Sequence, residues 1–375
     1  MPTVLMIGGG QLSRMTHQAA IGLGINFRVL ALSSDESAAQ VVQQVSIGAH
    51  DDELAIRAAA LEADVITFDH EHVPLEILIQ LQAEGISVQP APQALQFAQN
   101  KLQMRQRLQD FAAPMPAWQQ VKTATEVSAF ADVNEWPVVL KVARGGYDGR
   151  GVWICHNLVE VEQAMAEVIS GEWLVEAKVN FKRELSAQVA RSTTGETAVY
   201  PVVETRQWEG MCSEVIAPAP ELDTEIVATA QSLAIKIAEE LNVTGMLAVE
   251  LFETSDGILV NELAMRPHNS GHWSIDGAVT SQFENHVRAI LGWPLGETRA
   301  TQRVAVMANL IGSHQPVSEF AVSAALIDGD VKLHLYGKAA RAKRKIGHVN
   351  VVGNDVEELL GRAKKAAAEI VGMEH

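Results

Sequence analysis

The feature that most constrains this chain is a change of texture near Pro114 and Pro116. Before it, short apolar runs alternate with helical patterns. Residues 4–7 form an apolar run, Gly8, Gly9 and Gly10 a turn, and Leu12, Met15, Ala19 and Leu23 then recur near helical spacing. A second apolar run covers 27–32. A helical pattern follows at about 52–63, then strand-like runs at 65–68 and 86–88. Strands alternating with helices predict a parallel sheet covered on both faces. After the prolines, which close a helix at about 100–111, strands follow strands. The runs 138–142, 152–155 and 173–176, with a helix at 159–169, predict a small separate lobe. Strands at 184–191, 198–203 and 303–310 and a hairpin of 246–253 with 258–263 predict a larger antiparallel part. Asp223 caps a helix that carries Ile226, Ala230, Leu233, Ile237 and Leu241 on one face. A last helix spans about 355–371. The expected class is α/β, turning to α+β in the later part, divided at 1–97, 98–178 and 179–375. A length of 375 residues accommodates two to three domains.

Charge narrows the partners. Lys and Arg number 29 against 46 Asp and Glu, a net charge of −17. Nucleic-acid affinity comes from neutralising phosphates, so this balance argues against nucleic acid as a partner. It also argues against an anionic membrane surface. Two cysteines, Cys155 and Cys212, are too few for a disulfide framework and fit a reducing compartment. With no apolar run near 18 residues and no basic leader at the first residues, the expectation is a soluble cytoplasmic protein.

Five constellations carry chemistry. The Gly8-Gly9-Gly10 turn aims backbone N–H groups at the N-terminus of the following helix, where a small anion can sit. Ser13 stands where a dinucleotide fingerprint has its third glycine, and a simple tight turn is the alternative. Lys141 precedes a loop with four glycines in seven residues, 145–151, which also carries Tyr147, Asp148 and Arg150. Such a backbone can close over phosphates, and a lysine on the preceding strand reaches them. Glu250 and Glu262 fall opposite each other if the hairpin turns through three residues, Ser255 to Gly257. Like charges so placed are unfavourable unless a hard cation such as Mg²⁺ joins them. Asn261 adjoins that pair. The donor-rich run Arg266-Pro267-His268-Asn269-Ser270-Gly271-His272 follows the hairpin and suits an anionic substrate better than a helical zinc pair. Finally, Lys338, Arg341, Lys343, Arg344 and Lys345 reverse the local charge. They suit a phosphorylated small molecule, with a solvated edge or nucleic-acid patch as alternatives.

A lysine strand, a glycine lid loop and two carboxylates on adjacent strands resemble the ATP-grasp superfamily. GGGQL at 8–12, GGYDGRG at 145–151, NELA at 261–264, RPHNSGHW at 266–273 and KIGH at 345–348 narrow the resemblance to the 5-(carboxyamino)imidazole ribonucleotide synthase family. That resemblance implies a Rossmann-like pre-ATP-grasp domain (1–97), a linker helix and lid (98–178) and a large domain (179–375). It implies a homodimer, and ATP, Mg²⁺, bicarbonate and 5-aminoimidazole ribonucleotide as ligands. The activity implied is ATP-dependent carboxylation of the ribonucleotide, through carboxyphosphate, in purine biosynthesis.

Carried over residue by residue, Lys101 and Lys141 contact ATP, and Gly146, Tyr147, Asp148, Gly149, Arg150, Gly151 and Val152 cover its phosphates. Glu176, Ala177, Lys178 and Val179 resemble the adenine-binding linker. Glu184 holds the ribose, Gln207 lies near the nucleotide, and Asn261 adjoins the phosphates. Glu250 and Glu262 are the Mg²⁺ ligands. Gln11, Tyr147, Asp148, Arg150, His268, Asn269, Ser270, Lys338 and Arg344 contact the ribonucleotide, the last two through its phosphate. Arg266, Asp148 and Lys141 carry the chemistry. The chain departs from the family pattern at Ser13, at the Asp69-His70-Glu71-His72 run, at Gln207 and at Lys101. Another ATP-grasp ligase, such as a formate-dependent glycinamide ribonucleotide transformylase, or a nucleotide sensor are the competing readings.

Overall fold

The computed structural model describes residues 1–146, 151–168, 171–312 and 315–372. The early alternation folds as five parallel strands: β1 (Thr3–Ile7), β2 (Asn26–Ala31), β3 (Gln44–Ile47), β4 (Val65–Phe68) and β5 (Ser87–Val88), ordered β3-β2-β1-β4-β5. Every residue of β1 and β4 is buried. Leu5 and Ile7 of β1 pack into one core and Val4 and Met6 into another, so both faces are covered. The helix predicted at 52–63 is shorter, Glu53–Ala60, with Asp52 as its cap. Helices Leu75–Ala83 and Pro92–Gln99 were not legible in the sequence pattern.

The small lobe holds β6 (Trp118–Val121), β7 (Val138–Val142), β8 (Val152–Cys155) and β9 (Trp173–Ala177), antiparallel in the order β6-β9-β7-β8. Side chains alternate across a strand. Val138, Leu140, Val142, Trp173 and Val175 enter the lobe's apolar core. Lys141 and Glu176 therefore project from the opposite face, which is what turns them toward the rest of the molecule.

A third sheet has nine strands: β10 (Arg183–Arg191), β11 (Thr197–Val199), β12 (Val203–Trp208), β13 (Met211–Ala217), β14 (Gly245–Thr254), β15 (Gly257–Ala264), β16 (Val304–Ile311), β17 (Lys332–Leu335) and β18 (Lys345–Gly353). Its order is β15-β14-β10-β12-β13-β16-β18-β17, with β11 on β10. The helix Thr224–Glu240, capped by Asp223, packs on the β10–β14–β15 end. The helix Val356–Val371 packs on the β16–β18 end.

The β14–β15 hairpin corrects the sequence reading. Its loop has two residues, Ser255 and Asp256, because Thr254 pairs with Gly257. An uninterrupted ladder from that turn would set Glu250 opposite Asn261. A β-bulge intervenes: Leu251 pairs with Val260 and Glu250 with Glu262, leaving Asn261 as the extra residue. The expected pairing of the two glutamates is present, produced by the bulge and not by a three-residue turn. Among the described residues, no helix is long and apolar enough to cross a membrane.

Candidate active site

The three sheets meet around a cavity of about 900 Å³, a size that suits small-molecule ligands. On one wall, the Lys141 Nζ lies 2.7 Å from Glu176 Oε2 and 3.3 Å from Asn261 Oδ1. Behind them the fully buried Arg105 donates from Nε to Glu176 Oε1 at 2.6 Å. It also donates from Nη1 and Nη2 to the carbonyls of Val260 (2.9 Å) and Asn261 (2.8 Å). One guanidinium thus joins the lobe strand β9 to the β15 bulge. Burial alone would raise the Glu176 carboxyl, but Lys141 and Arg105 hold it down at about 2.

The bulge aims two carboxylates into this space. Glu262 Oε1 lies 2.6 Å from the Lys101 ammonium, and Glu250 Oε1 lies 3.2 Å from His268 Nε2. Each carboxylate thus has a side-chain nitrogen beside it. Burial raises the Glu250 carboxyl, yet His268 and, at longer range, Lys345 and Arg266 bring it below its ordinary value. Glu184, two strands from Glu262 in the sheet, is pushed up to about 7 by burial and then by the charge of Glu250, against a 2.9 Å hydrogen bond from Gln207. Among the described residues, no group of three or more His, Cys, Asp or Glu is arranged to hold a metal. Two opposed carboxylates without further protein ligands fit Mg²⁺, which takes its other ligands from phosphates and water.

The opposite wall comes from the first sheet. Arg266 Nε lies 2.8 Å from Glu71 Oε1. Asp69 accepts the Gly10 N–H at 2.6 Å. Burial pushes the Asp69 carboxyl up to about 6, opposed by that N–H, Arg266 and Lys338. A Cβ on Gly8 would stand 1.7 Å from Asp69 Oδ1, and φ at Gly8 is +111°, so this turn requires glycine. Ser13, where a third glycine is usual, is fully buried in the helix Gln11–Gly22. Lys338 Nζ donates to Gln11 Oε1 and sits 5.7 Å from the Tyr336 ring centroid. Burial, then the charge of Arg344, lowers the Lys338 ammonium to about 8.

Of the residues expected at the site, Lys101, Lys141, Gly146, Val152 and Glu176 line the cavity. So do Ala177, Lys178, Val179, Glu184 and Gln207, and on the acidic side Glu250, Asn261 and Glu262. Gln11, Arg266, His268 and Asn269 complete the wall. Tyr147, Asp148, Gly149 and Arg150 lie outside the described residues. Gly151 backs onto Val142, where a Cβ would meet Cγ2 at 2.5 Å. Ser270 differs from expectation: its hydroxyl turns inward to Ser186 (2.8 Å), Gln188 (3.0 Å) and His268 Nδ1 (2.9 Å). Lys338 and Arg344 do not line this cavity, Lys338 joining it through Gln11 and Arg344 being exposed. The sequence reading missed Arg105, whose only signal was its position four residues after Lys101 on one helix face.

An ATP-grasp domain model matches residues 106–283, a ribonucleotide synthetase preATP-grasp model 1–99, and a phosphoribosylaminoimidazole carboxylase C-terminal model 305–362. The N5-carboxyaminoimidazole ribonucleotide synthase of Mycobacterium tuberculosis is 52% identical across 98% of this chain and 87% of its own length. The chain belongs to the N5-carboxyaminoimidazole ribonucleotide synthase family. The crystal structure of the synthetase from Thermus thermophilus superposes with a TM-score of 0.88 at 34% identity, covering 98% of this chain and 97% of that one. The synthase from Aspergillus clavatus, solved with ADP and 5-aminoimidazole ribonucleotide, gives 0.91 at 30% identity over 99% of both chains. The three-sheet arrangement described above is thus the ATP-grasp fold of this synthase family, and the chain is an ATP-grasp ligase.

Proposed function

We infer that this chain carboxylates the exocyclic amine of 5-aminoimidazole ribonucleotide with bicarbonate, at the expense of ATP, in purine biosynthesis. The observation that carries the reading is the β15 bulge. It sets Glu250 against Glu262 in the cavity that also holds Lys141 and Arg266. A bicarbonate oxygen forms a bond to the γ-phosphorus while the phosphorus–oxygen bond to ADP breaks and ADP leaves with the electron pair. The amine nitrogen then bonds to the carboxyl carbon of carboxyphosphate, the carbon–oxygen bond to phosphate breaks, and the amine gives up a proton. Phosphoryl transfer of this kind depends on positioning and charge neutralisation more than on covalent catalysis.

In this reading Lys141 and Lys101 meet the nucleotide phosphates, and 146–152 cover them. The linker 176–179 receives the adenine, Glu184 with Gln207 the ribose, and Asn261 adjoins the phosphates. Glu250 and Glu262 hold Mg²⁺, which when bound neutralises phosphate charge. Arg266, steadied by Glu71, faces the developing carboxyphosphate charge. Tyr147, Asp148, Arg150, His268 and Asn269 receive the ribonucleotide, with Gln11, Lys338 and Arg344 at its phosphate. Ser270 holds His268. A lid closed over the site keeps water from the labile acyl phosphate. A three-lobe division at 97/98 and 178/179, a homodimer and a cytoplasmic location belong to the same proposal.

The test is ADP release with ATP and Mg²⁺, adding bicarbonate and 5-aminoimidazole ribonucleotide singly and together. The expected result is rapid release only when the ribonucleotide is present. Release that ignores the ribonucleotide, or responds instead to formate and glycinamide ribonucleotide, overturns the assignment.

A further inference from the structure

His268 reaches Glu250, and what holds His268 lies outside the cavity. The residue is extended, with φ −121° and ψ +153°. In that conformation its own N–H and C=O point the same way, as in the hydrogen-bonded pairs of an antiparallel ladder. The partner here is one side-chain amide. Gln282 Oε1 accepts the His268 N–H at 2.8 Å, and Gln282 Nε2 donates to the His268 C=O at 2.7 Å. The same Nε2 lies 3.2 Å from His272 Nδ1. Gln282 is fully buried at the first position of the helix Gln282–Ile290, and its own N–H donates to Ser274 Oγ at 3.0 Å. A Cβ on Gly271 would come within 2.4 Å of Gln282 Oε1, so the glycine in this loop makes room for the amide. On the other side, Ser270 Oγ meets His268 Nδ1 at 2.9 Å and leaves Nε2 to face Glu250.

We propose that Gln282 is a positioning residue for the reaction, acting as a one-residue strand that fixes the His268 peptide and so aims the imidazole between Glu250 and the ribonucleotide. This rests on the reading of His268 as a ribonucleotide contact. The amide is the right chemistry for the task, since it offers one acceptor and one donor side by side. A methionine fills similar space and offers neither. A glutamate keeps the acceptor for the His268 N–H and sets a carboxylate oxygen against the His268 C=O.

The experiment is steady-state kinetics on Gln282→Met, Gln282→Glu, His268→Ala and the double variant His268→Ala/Gln282→Met, each scaled to folded protein by circular dichroism. Gln282→Met is expected to raise the ribonucleotide KM about tenfold while the ATP KM moves less than about twofold. Gln282→Glu, with almost unchanged volume, is expected to give the same split, and supplies the reading if the methionine variant does not fold. The double variant is expected to match His268→Ala, since an amide that works through His268 has nothing left to aim. A merely structural glutamine would lower Tm and the active fraction without splitting the two KM values. If His268→Ala raises the ribonucleotide KM but the Gln282 variants do not, or the losses add in full, the role of Gln282 is overturned alone. If His268→Ala and both Gln282 variants leave that KM unchanged, the reading of His268 falls as well.

Discussion

At the scale of single residues the site is a set of opposed charges held by buried partners. Glu262 is the most telling of them. Its carboxylate pairs with Lys101 at 2.6 Å, and although 40% of its own side chain is exposed only 10% of the lysine's is, so solvent screens the pair in part. Glu262→Gln keeps an acceptor oxygen for the Lys101 ammonium and is therefore expected to cost no more than about 2 kcal/mol. The same change removes half of the proposed Mg²⁺ ligand pair and is expected to cut turnover by at least about 100-fold. Turnover within about threefold of the parent, with Tm unchanged, would refute the role. Lys141, Glu250 and Glu262 were legible because each sits in a local pattern: a strand before glycines, or a hairpin with an acidic pair. Arg105 and the Glu71–Arg266 pair were not. Their partners lie far along the chain, and no local periodicity reports a long-range contact.

At the scale of elements, two backbone irregularities do most to build the site. The β15 bulge lets Asn261 and Glu262 both reach the cavity, where a regular strand would send them to opposite faces. Spacing alone suggested the glutamate pair through a longer turn, because a bulge leaves no mark in the residue types. The Gly8–Gly10 turn is the second. Its glycines are explained by Asp69 Oδ1 beside Gly8 and by Glu36 Oε2, 2.4 Å from where a Cβ on Gly9 would lie. Gly8→Ala adds a methyl against Asp69 at a left-handed φ and is expected to cost at least about 2 kcal/mol in urea unfolding. A loss under about 0.5 kcal/mol would mean the turn relaxes freely. The helices that begin after Asn100, Asp223 and Asp355 were legible, the first from the prolines that close it and the second from its capping aspartate, and all three residues cap the first turn in the structure. Strands β17 and β18 were not, although KIGH opens β18: their apolar runs are broken by Lys332, His334, His348 and Asn350.

At the scale of the molecule, buried imidazoles tie the sheets together. His286 bridges Thr67 of β4 at 2.8 Å and the Met246 N–H of β14 at 3.1 Å. Burial is the largest cause that pushes His70 down to about 4 and His286 to about 3, and it holds His272 and His348 well below the ordinary value. The unfolded chain protonates these four below about pH 6.5. Their contribution is present above that pH and is lost as pH falls toward the folded values. Asp69 and Glu184 act oppositely. Raised by burial to about 6 and about 7, they favour the folded chain at low pH, and that contribution is lost as pH rises through those values. The imidazoles outweigh the carboxyls by about two protons near pH 5.5, so stability is expected to fall by roughly 2–3 kcal/mol per unit as pH drops there. Urea unfolding at pH 5 to 7 checks the sign, and a flat or rising stability on acidification would contradict it.

In the proposed reaction bicarbonate attacks the γ-phosphate before carbon reaches the amine. The most direct measurement uses ¹⁸O-labelled bicarbonate with ATP, Mg²⁺ and 5-aminoimidazole ribonucleotide, and mass analysis of the released phosphate. One labelled oxygen is expected in each phosphate, because the bicarbonate oxygen that bonds to phosphorus leaves with it. Unlabelled phosphate, formed at the same rate as ADP, would mean that water attacks the nucleotide and that carboxyphosphate is not made.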